Sequence, residues 1–397
     1  MTEDALFDGL RVVELADDPA GEMLGKLLSQ MGATVLKVEP PQGAQSRHVG
    51  PWAGGVADTE ASLAFWFYNP GKASLVIDLD SESGRRQLHD EAVQADVFIS
   101  TAQPARCSDL GLDFSALTRE SPSTIFASVT PFGLSGPRAD YAGSDLVCLA
   151  TSGLLITSGY DDHDIPPIAP GGGQAFHTAA TFGYLGVLLA LLQRQATGIG
   201  GLVDVAMHDA CAVTTELASM YWEYPKVVVQ RQTCRHAQPS PTAPATFLCA
   251  DGRYVYFVLI LAETKFWLAL VNWLDEHGLA ADLREEQYSD YSHRQKMFPH
   301  IQGLLEAFFS LLDGADAYNE GQRHGLPVGI LNAPEDLLDD PHLTARSFFT
   351  PTNHDGVDLL FPGPPYRFST IPSPPPTAAP HLGDSTVSRG SATTRSA

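Results

Sequence analysis

The chain has 397 residues, 44% of them hydrophobic and 18% charged, which provides for a full core and excludes a disordered chain. Its 24 basic residues stand against 47 acidic ones, and the net charge of −23 argues against nucleic acid or an anionic membrane as partner. The length suggests two domains or one elaborated one. The five cysteines are scattered and form no CxxC pair, so neither a disulfide framework nor a zinc site is indicated. The N-terminus MTEDALFDGL lacks a signal peptide's basic-then-apolar order, and a reduced cytoplasmic compartment is expected.

Arg11 to Leu15 (RVVEL) reads as a buried strand. Met23, Leu24, Leu27, Leu28 and Met31 follow at helical spacing. Glu22, Lys26 and Gln30 fall on the opposite face of that helix, with Glu22 and Lys26 as a favourable i,i+4 pair. Gly32 stops the helix and TVLKVEPP is a second strand, completing a βαβ unit of a parallel sheet. The pattern repeats with SLVIDL, a helix from Ser81 to Ala95 with Ser81 as N-cap, DVFIST, Phe114 to Arg119, TIFASVTPFG and a helix from Asp145 to Ile156. This is a Rossmann-like α/β layer. No GxGxxG lies between its first strand and helix, so a nicotinamide or flavin has no support.

The rest is organised around Pro166 to Ala210. Three glycines, Gly171 to Gly173, lead into an uncharged apolar segment from Thr178 to Leu192. It falls short of the ~20 apolar residues of a membrane span, and reads as a helix buried on all sides. GLVDVAMHDA is then a short buried strand running into another helix, with Asp204 and Asp209 as structural acids. The glycine run reads as a turn or as an anion cradle. Past Glu223, Thr246–Leu261 is a hairpin turning at Asp251-Gly252, and Lys265 to Gly278 and Ile301 to Leu312 are amphipathic helices. The expected organisation is a large Rossmann-like domain over 1–223, a linker and small α+β domain over 224–340, a return segment over 341–383 and a disordered tail over 384–397.

In order, GLRVVEL, MGATVLKVEPPQGAQSR, FWFYNPGKASLVIDL, ASVTPFGLSGP, GSDLVCLATSG, LLALLQRQATGIGGLVDVAMHDA, GLPVGILNAPEDLLDDPHLTARSFF and PHLGDST resemble the landmarks of the family III CoA-transferases. That group contains formyl-CoA transferase, carnitine CoA-transferase and α-methylacyl-CoA racemase. The resemblance covers nearly the whole chain. It implies an interlocked dimer with active sites at domain and chain junctions. It also implies coenzyme A and its acyl esters as substrates, with no tightly bound cofactor and no metal.

The reaction that the resemblance implies needs one carboxylate. It attacks the donor thioester to give a mixed anhydride, and the released CoA thiolate then forms an enzyme thioester. In the family that Asp opens the long helix; the matching position here is Phe176 or His177, and no acid lies between Ile165 and Gln193. An imidazole can take an acyl group but cannot hold a CoA thioester. Among cations that would grip the CoA phosphates, Pro40, Asp80 and Asp109 stand at positions often basic in relatives, leaving Lys37, Arg47, Lys72 and Arg106. The racemase pattern fails as well, since Gly143-Ser144-Asp145 replaces its GHD.

The sequence thus looks like the Asp-lacking subunit of a two-subunit transferase of the succinyl-CoA:benzylsuccinate type, paired with a homologous catalytic chain. The alternative is a self-sufficient enzyme on acyl-CoA esters using His177 and Asp145. A third is a transferase whose carboxylate enters the site from elsewhere. His177 reads either as a core or interface histidine or as an acid/base, and Asp145 either as an N-cap or as a catalytic acid.

Overall fold

The structure is a computed structural model and describes residues 5–215, 217–258, 262–371 and 377–385. Of the expected disordered tail over 384–397, 386–397 lies outside the described residues, as does the proline run at 372–376, whereas Asp384 is held in place, its carbonyl accepting from the Ser74 amide at 2.7 Å. The chain divides into two compact units. The larger comprises Met1–Ser158, Pro167–Lys226 and His342–Ala397; the smaller comprises Gly159–Pro166 and Val227–Pro341.

In the large unit, β1 (Arg11–Leu15) leads to α1 (Pro19–Ser29), β2 (Thr34–Glu39), α2 (Leu63–Tyr68), β3 (Ala73–Val76) and α3 (Glu82–Val93). Next come β4 (Val97–Ser100), α4 (Pro104–Leu110), α5 (Phe114–Glu120), β5 (Ile125–Thr130), α6 (Asp145–Thr151), α7 (Gln174–Thr197), β6 (Gly201–Ala206) and α8 (Met207–Ala212). The six strands form one parallel sheet in the order β3-β2-β1-β4-β5-β6. This is the doubly wound order, with helices on both faces. Successive strand residues feed opposite layers. Val12, Val35, Ile99 and Val129 pack with Leu24, Leu28, Ala179 and Val187 of α1 and α7. Val13, Val38, Phe98 and Phe126 pack with Leu88, Leu110 and Leu117 of α3, α4 and α5. Burial on both faces explains why the central strands read as unbroken apolar runs.

Several expectations are corrected. α7 is buried along one stripe, Ala175, Ala179, Ala180, Gly183 and Val187, where small side chains let it approach the sheet and α1. Its other side exposes Phe182, Leu185, Leu189 and Leu192, so it is not enclosed all round. At 24 residues it is also longer than expected, and long and apolar enough to cross a membrane by length and composition. β6 is an edge strand and is half-exposed, with Leu202 46% open, rather than buried. In α1, Glu22 and Lys26 lie inside, not on a solvated face, and Glu22 pairs with Lys37 rather than with Lys26. Finally, α6 is capped by Ser144, which accepts from the Val147 amide, and Asp145 is its first residue.

The return segment forms an antiparallel hairpin, Phe349–His354 with Val357–Pro362. His354 stacks on Trp66 with ring centroids 3.9 Å apart. Residues 377–385 then lie against β3, where the Ser74 amide donates to the Asp384 carbonyl at 2.7 Å.

The small unit is built on a three-stranded antiparallel sheet of Thr246–Leu248, Tyr254–Phe257 and Val328–Ile330. The first two make the expected hairpin, with Gly252 in the left-handed region that its turn requires. Helices Thr264–Glu276, Phe298–Phe309 and Gly314–Arg323 cover it around Trp273, Phe308 and Phe309. The end of the expected hairpin, 259–261, lies outside the described residues. This unit holds its own cavity of 260 Å³, lined by Arg235, Phe247, Tyr256, Phe257 and Leu305 among others.

Candidate functional site at the mouth of the long helix

The first amides of a helix have no partner inside it and carry the positive end of its dipole. In α7 the N-cap is Gly173, with φ of 66°, and it has no side chain to offer. The carboxylate comes instead from another element. Asp145 Oδ1 accepts from the Ala175 amide at 2.7 Å. The glycine turn therefore serves to swing the chain into α7, while an acid from α6 satisfies the helix end. Gln174 turns back and donates to the Gly171 carbonyl at 2.9 Å.

His177 lies one half-turn further on, half-buried. Its Nε2 is 3.0 Å from Tyr68 Oη at the end of α2. Burial, and then repulsion from Lys26, hold His177 below the usual histidine range, partly opposed by Asp145. The ring is therefore neutral at pH 7. The Tyr68 hydroxyl is pushed up to about 12 by burial, with Glu22 and Asp145 adding to the effect. Acid, imidazole and phenol thus converge on the α7 entrance. The nearby thiols offer no alternative nucleophile, since burial first of all raises Cys148 to about 12 and Cys211 to about 11.

The four cations named for the CoA phosphates have different fates. Lys37 is fully buried, its Nζ 3.0 Å from Glu14 and 2.9 Å from Glu22. Burial opposes its charge, but Glu22, Glu14 and Glu39 outweigh that and raise its pKa. Lys72 is buried against Glu14 at 2.7 Å, the Asn69 side chain and the Glu22 carbonyl. Arg47 grips Glu39 through two nitrogens at 2.7 and 2.9 Å, reaches Glu60 at 3.0 Å and donates to the Pro380 carbonyl. These three are paired inside the large unit, whereas Arg106 is exposed on α4. Asp204 accepts from the Leu134 amide, and Asp209 pairs with its neighbour His208 at 2.8 Å.

Sequence reasoning missed the buried carboxylates. A signal for Glu14 and Lys37 existed, because each is the fourth residue of an apolar strand and they are direct cross-strand partners. Tyr68 and Lys26 carried no such signal. Lys26 is 3% exposed, and its Nζ stands 3.5 Å from the centre of the Phe67 ring. Burial, and then repulsion from Lys72, lower it to about 7. Asp18, which caps α1 by accepting from the Ala20 and Gly21 amides, is raised to about 7 by its burial.

Comparison with known proteins agrees with this architecture. The model of CoA-transferase family III matches residues 7–386. The chain is 33% identical to succinyl-CoA:(R)-benzylsuccinate CoA-transferase subunit BbsE of Thauera aromatica, over 96% of this chain and 92% of that one. It is 28% identical to acetyl-CoA:oxalate CoA-transferase of Acetobacter aceti, over 93% and 90% of the two chains. A crystal structure of a CaiB/BaiF family protein from Brucella suis superposes with a TM-score of 0.82 at 27% identity, covering 96% of this chain and 97% of that one. The chain belongs to CoA-transferase family III.

Proposed function

We propose that this chain is the subunit of a two-chain family III CoA-transferase that does not carry the nucleophile. The observation behind this is the occupant of the α7 entrance. Phe176 or His177, the latter a neutral imidazole bound to Tyr68, matches the position where the exchange needs a carboxylate. An acyl-imidazole could form there with loss of CoA thiolate, but attack of that thiolate on it only regenerates the starting thioester. The CoA-bearing half of the exchange therefore has no carrier on this side chain. The likeness to BbsE, described as one subunit of its enzyme, supports the heteromeric reading.

The partner in this reading is a homologous chain that supplies the acid, interlocked with this one. The exposed apolar side of α7, with Leu185, Leu189 and Leu192, gives it a surface to cover. The substrates are an acyl-CoA and a carboxylic acid, and the compartment is cytoplasmic. Of the four cations, Arg106 is the one whose exposure suits contact with a CoA phosphate. Lys37, Arg47 and Lys72 would act through the ion pairs that hold the β1–β3 end of the sheet.

A second reading rests on Asp145. Its carboxylate reaches the α7 entrance, where it accepts from the Ala175 amide and acts on His177. It would let the chain act unaided. Reconstitution separates the two. The chain is purified by itself and assayed for CoA transfer, then mixed with a homologous chain bearing the acid. Activity confined to the mixture, and lost when the homologue's acid is changed to Asn, is expected. Full transfer by this chain unaided, abolished in Asp145→Asn, would establish the second reading instead.

A further inference from the structure

His381 lies in the C-terminal strap, residues 377–385, and each of its ring nitrogens faces a carboxylate. Nδ1 is 3.1 Å from Glu60 Oε2, and Nε2 is 3.1 Å from Asp355 Oδ1. A neutral imidazole has one N–H, so it could donate to one acid only and would turn a lone pair on the other. The imidazolium donates to both. The two acids come from distant segments. Glu60 precedes α2, and Asp355 stands in the turn of the return hairpin. In that turn Asp355 and Gly356 have φ of 50° and 84°, the left-handed pair that a two-residue hairpin loop requires. The Asp355 carboxylate is therefore presented from a fixed point.

Glu60 is the hub on the other side. Its Oε2 also takes Arg47 at 3.0 Å, and its Oε1 accepts from the Leu382 amide of the strap at 3.2 Å. Ala379 of the strap packs with Phe65 and Trp66 of α2, and the Gly71 amide after α2 donates to the Ala378 carbonyl at 3.1 Å. The strap thus backs the helix that ends in Tyr68, whose hydroxyl meets His177. We propose that His381 is a proton-operated clasp, whose imidazolium bridges Glu60 and Asp355 to hold the strap on α2 and whose deprotonation loosens the strap and the Tyr68 end of that helix together.

The direction with pH follows. Burial opposes the His381 charge, but Asp355 and Glu60 outweigh it and hold the ring above the usual histidine range. Its contribution is complete below the unfolded value near 6.5 and is lost as pH rises through the folded value. The groups that face it are Glu60, with Arg47 behind it, and Asp355 and His354 on the hairpin. Burial holds His354 below the usual range; Asp355 opposes this and the His381 charge adds to it. His354 therefore stays neutral above pH 6, where His381 gives up its proton. An isolated exposed ion pair contributes little, so the expected change is a few-fold.

The test is amide hydrogen exchange of the full chain at pH 6 and pH 9, corrected for the intrinsic pH dependence of exchange. Protection of 377–385 and of 65–68 should fall together at least threefold at pH 9, with β1 unchanged. The His381 side chain is 53% exposed, so variants there should fold. His381→Gln should show the low protection at both pH values, and His381→Arg, charged throughout, should keep the high protection at pH 9. Histidine-detected NMR should place the His381 titration above about 6.5. Asp355→Asn, which keeps a residue tolerant of the left-handed turn, should lower it. Equal strap protection at both pH values, or a pH dependence that survives in His381→Gln, would overturn the clasp. A change confined to the strap, with 65–68 unaffected, would overturn its link to Tyr68. No substrate or partner enters the measurement, so its outcome is independent of which chain carries the nucleophile.

Discussion

Tyr68 Oη lies 3.0 Å from His177 Nε2, so the residue that opens the long core helix is tied to the end of α2. That contact joins α2 to α7 and fixes the imidazole at the α7 entrance. It sets the chemistry of the α7 entrance, and its neighbours set its titration.

His177 should titrate below the ordinary histidine range, first because it is buried and second because of Lys26. Lys26→Met should move it up, and histidine-detected NMR across a pH series reads this directly. The sign for stability follows. The folded pKa is below the unfolded one, so the unfolded state takes the proton first as pH falls. Stability present above the unfolded value near 6.5 declines as pH drops towards the folded value. His177→Phe should flatten that part of the profile.

Lys26→Met should stabilise the chain at pH 7. The lysine is depressed by burial first and by Lys72 second. Stability is therefore lost as pH falls from the unfolded lysine value towards about 7. Replacing an unpaired buried charge by an apolar chain of similar length should gain ~1–4 kcal/mol, read by denaturant melts. The gain should vanish above pH 10 or so, where the wild-type amine is neutral in both states.

Gly25→Ala should be severe for a helix-interior glycine. A methyl group there meets the Glu14 carboxylate and comes within 3.1 Å of Lys72 Nζ. Glycine is used here for close approach, not for a turn, and alanine's better helix propensity does not help. Breaking the Glu14 pairs should cost ~3–5 kcal/mol, measured by urea unfolding.

These residues also mark how far the sequence could be read. The sheet was legible because β1, β2, β4 and β5 are buried on both faces and announce themselves as apolar runs between capped helices. That no acid lies between Ile165 and Gln193 was plain from the sequence as well. The interior charges were not. Glu22 and Lys26 have the spacing of a surface pair, and only the packing of α1 under α2 turns that face inward. Nor could spacing show that Asp145 leaves its own helix to cap α7, since the contact spans 30 residues. The outward face of α7 was misjudged because its sequence is apolar all round, and composition does not say which side is covered.

Arg47→Met should loosen the C-terminal segment. Arg47 links Glu39 on β2 to the Pro380 carbonyl, and through Glu60 to the Leu382 amide. Its loss leaves the buried Glu39 without its ion-pair partner, held by the Ala44 amide and the Ser74 hydroxyl, at a cost of ~3–5 kcal/mol. Hydrogen exchange at Leu382 to Asp384 should rise before that of β1.

Replacing Leu189 and Leu192 of α7 by Lys should leave the isolated chain folded, since both are more than 60% exposed. In the reading proposed above, the same double variant should fail to assemble with the homologous chain in light-scattering chromatography. Unimpaired assembly would show that this face does not meet the partner.

The absence of a thioester-bearing acid at the α7 entrance is tested most directly by intact mass. The purified chain is incubated with succinyl-CoA and then split, with half treated with hydroxylamine. The expected spectrum is the unmodified chain in both halves. A CoA-sized adduct that hydroxylamine removes, and that disappears in Asp145→Asn, would contradict the account.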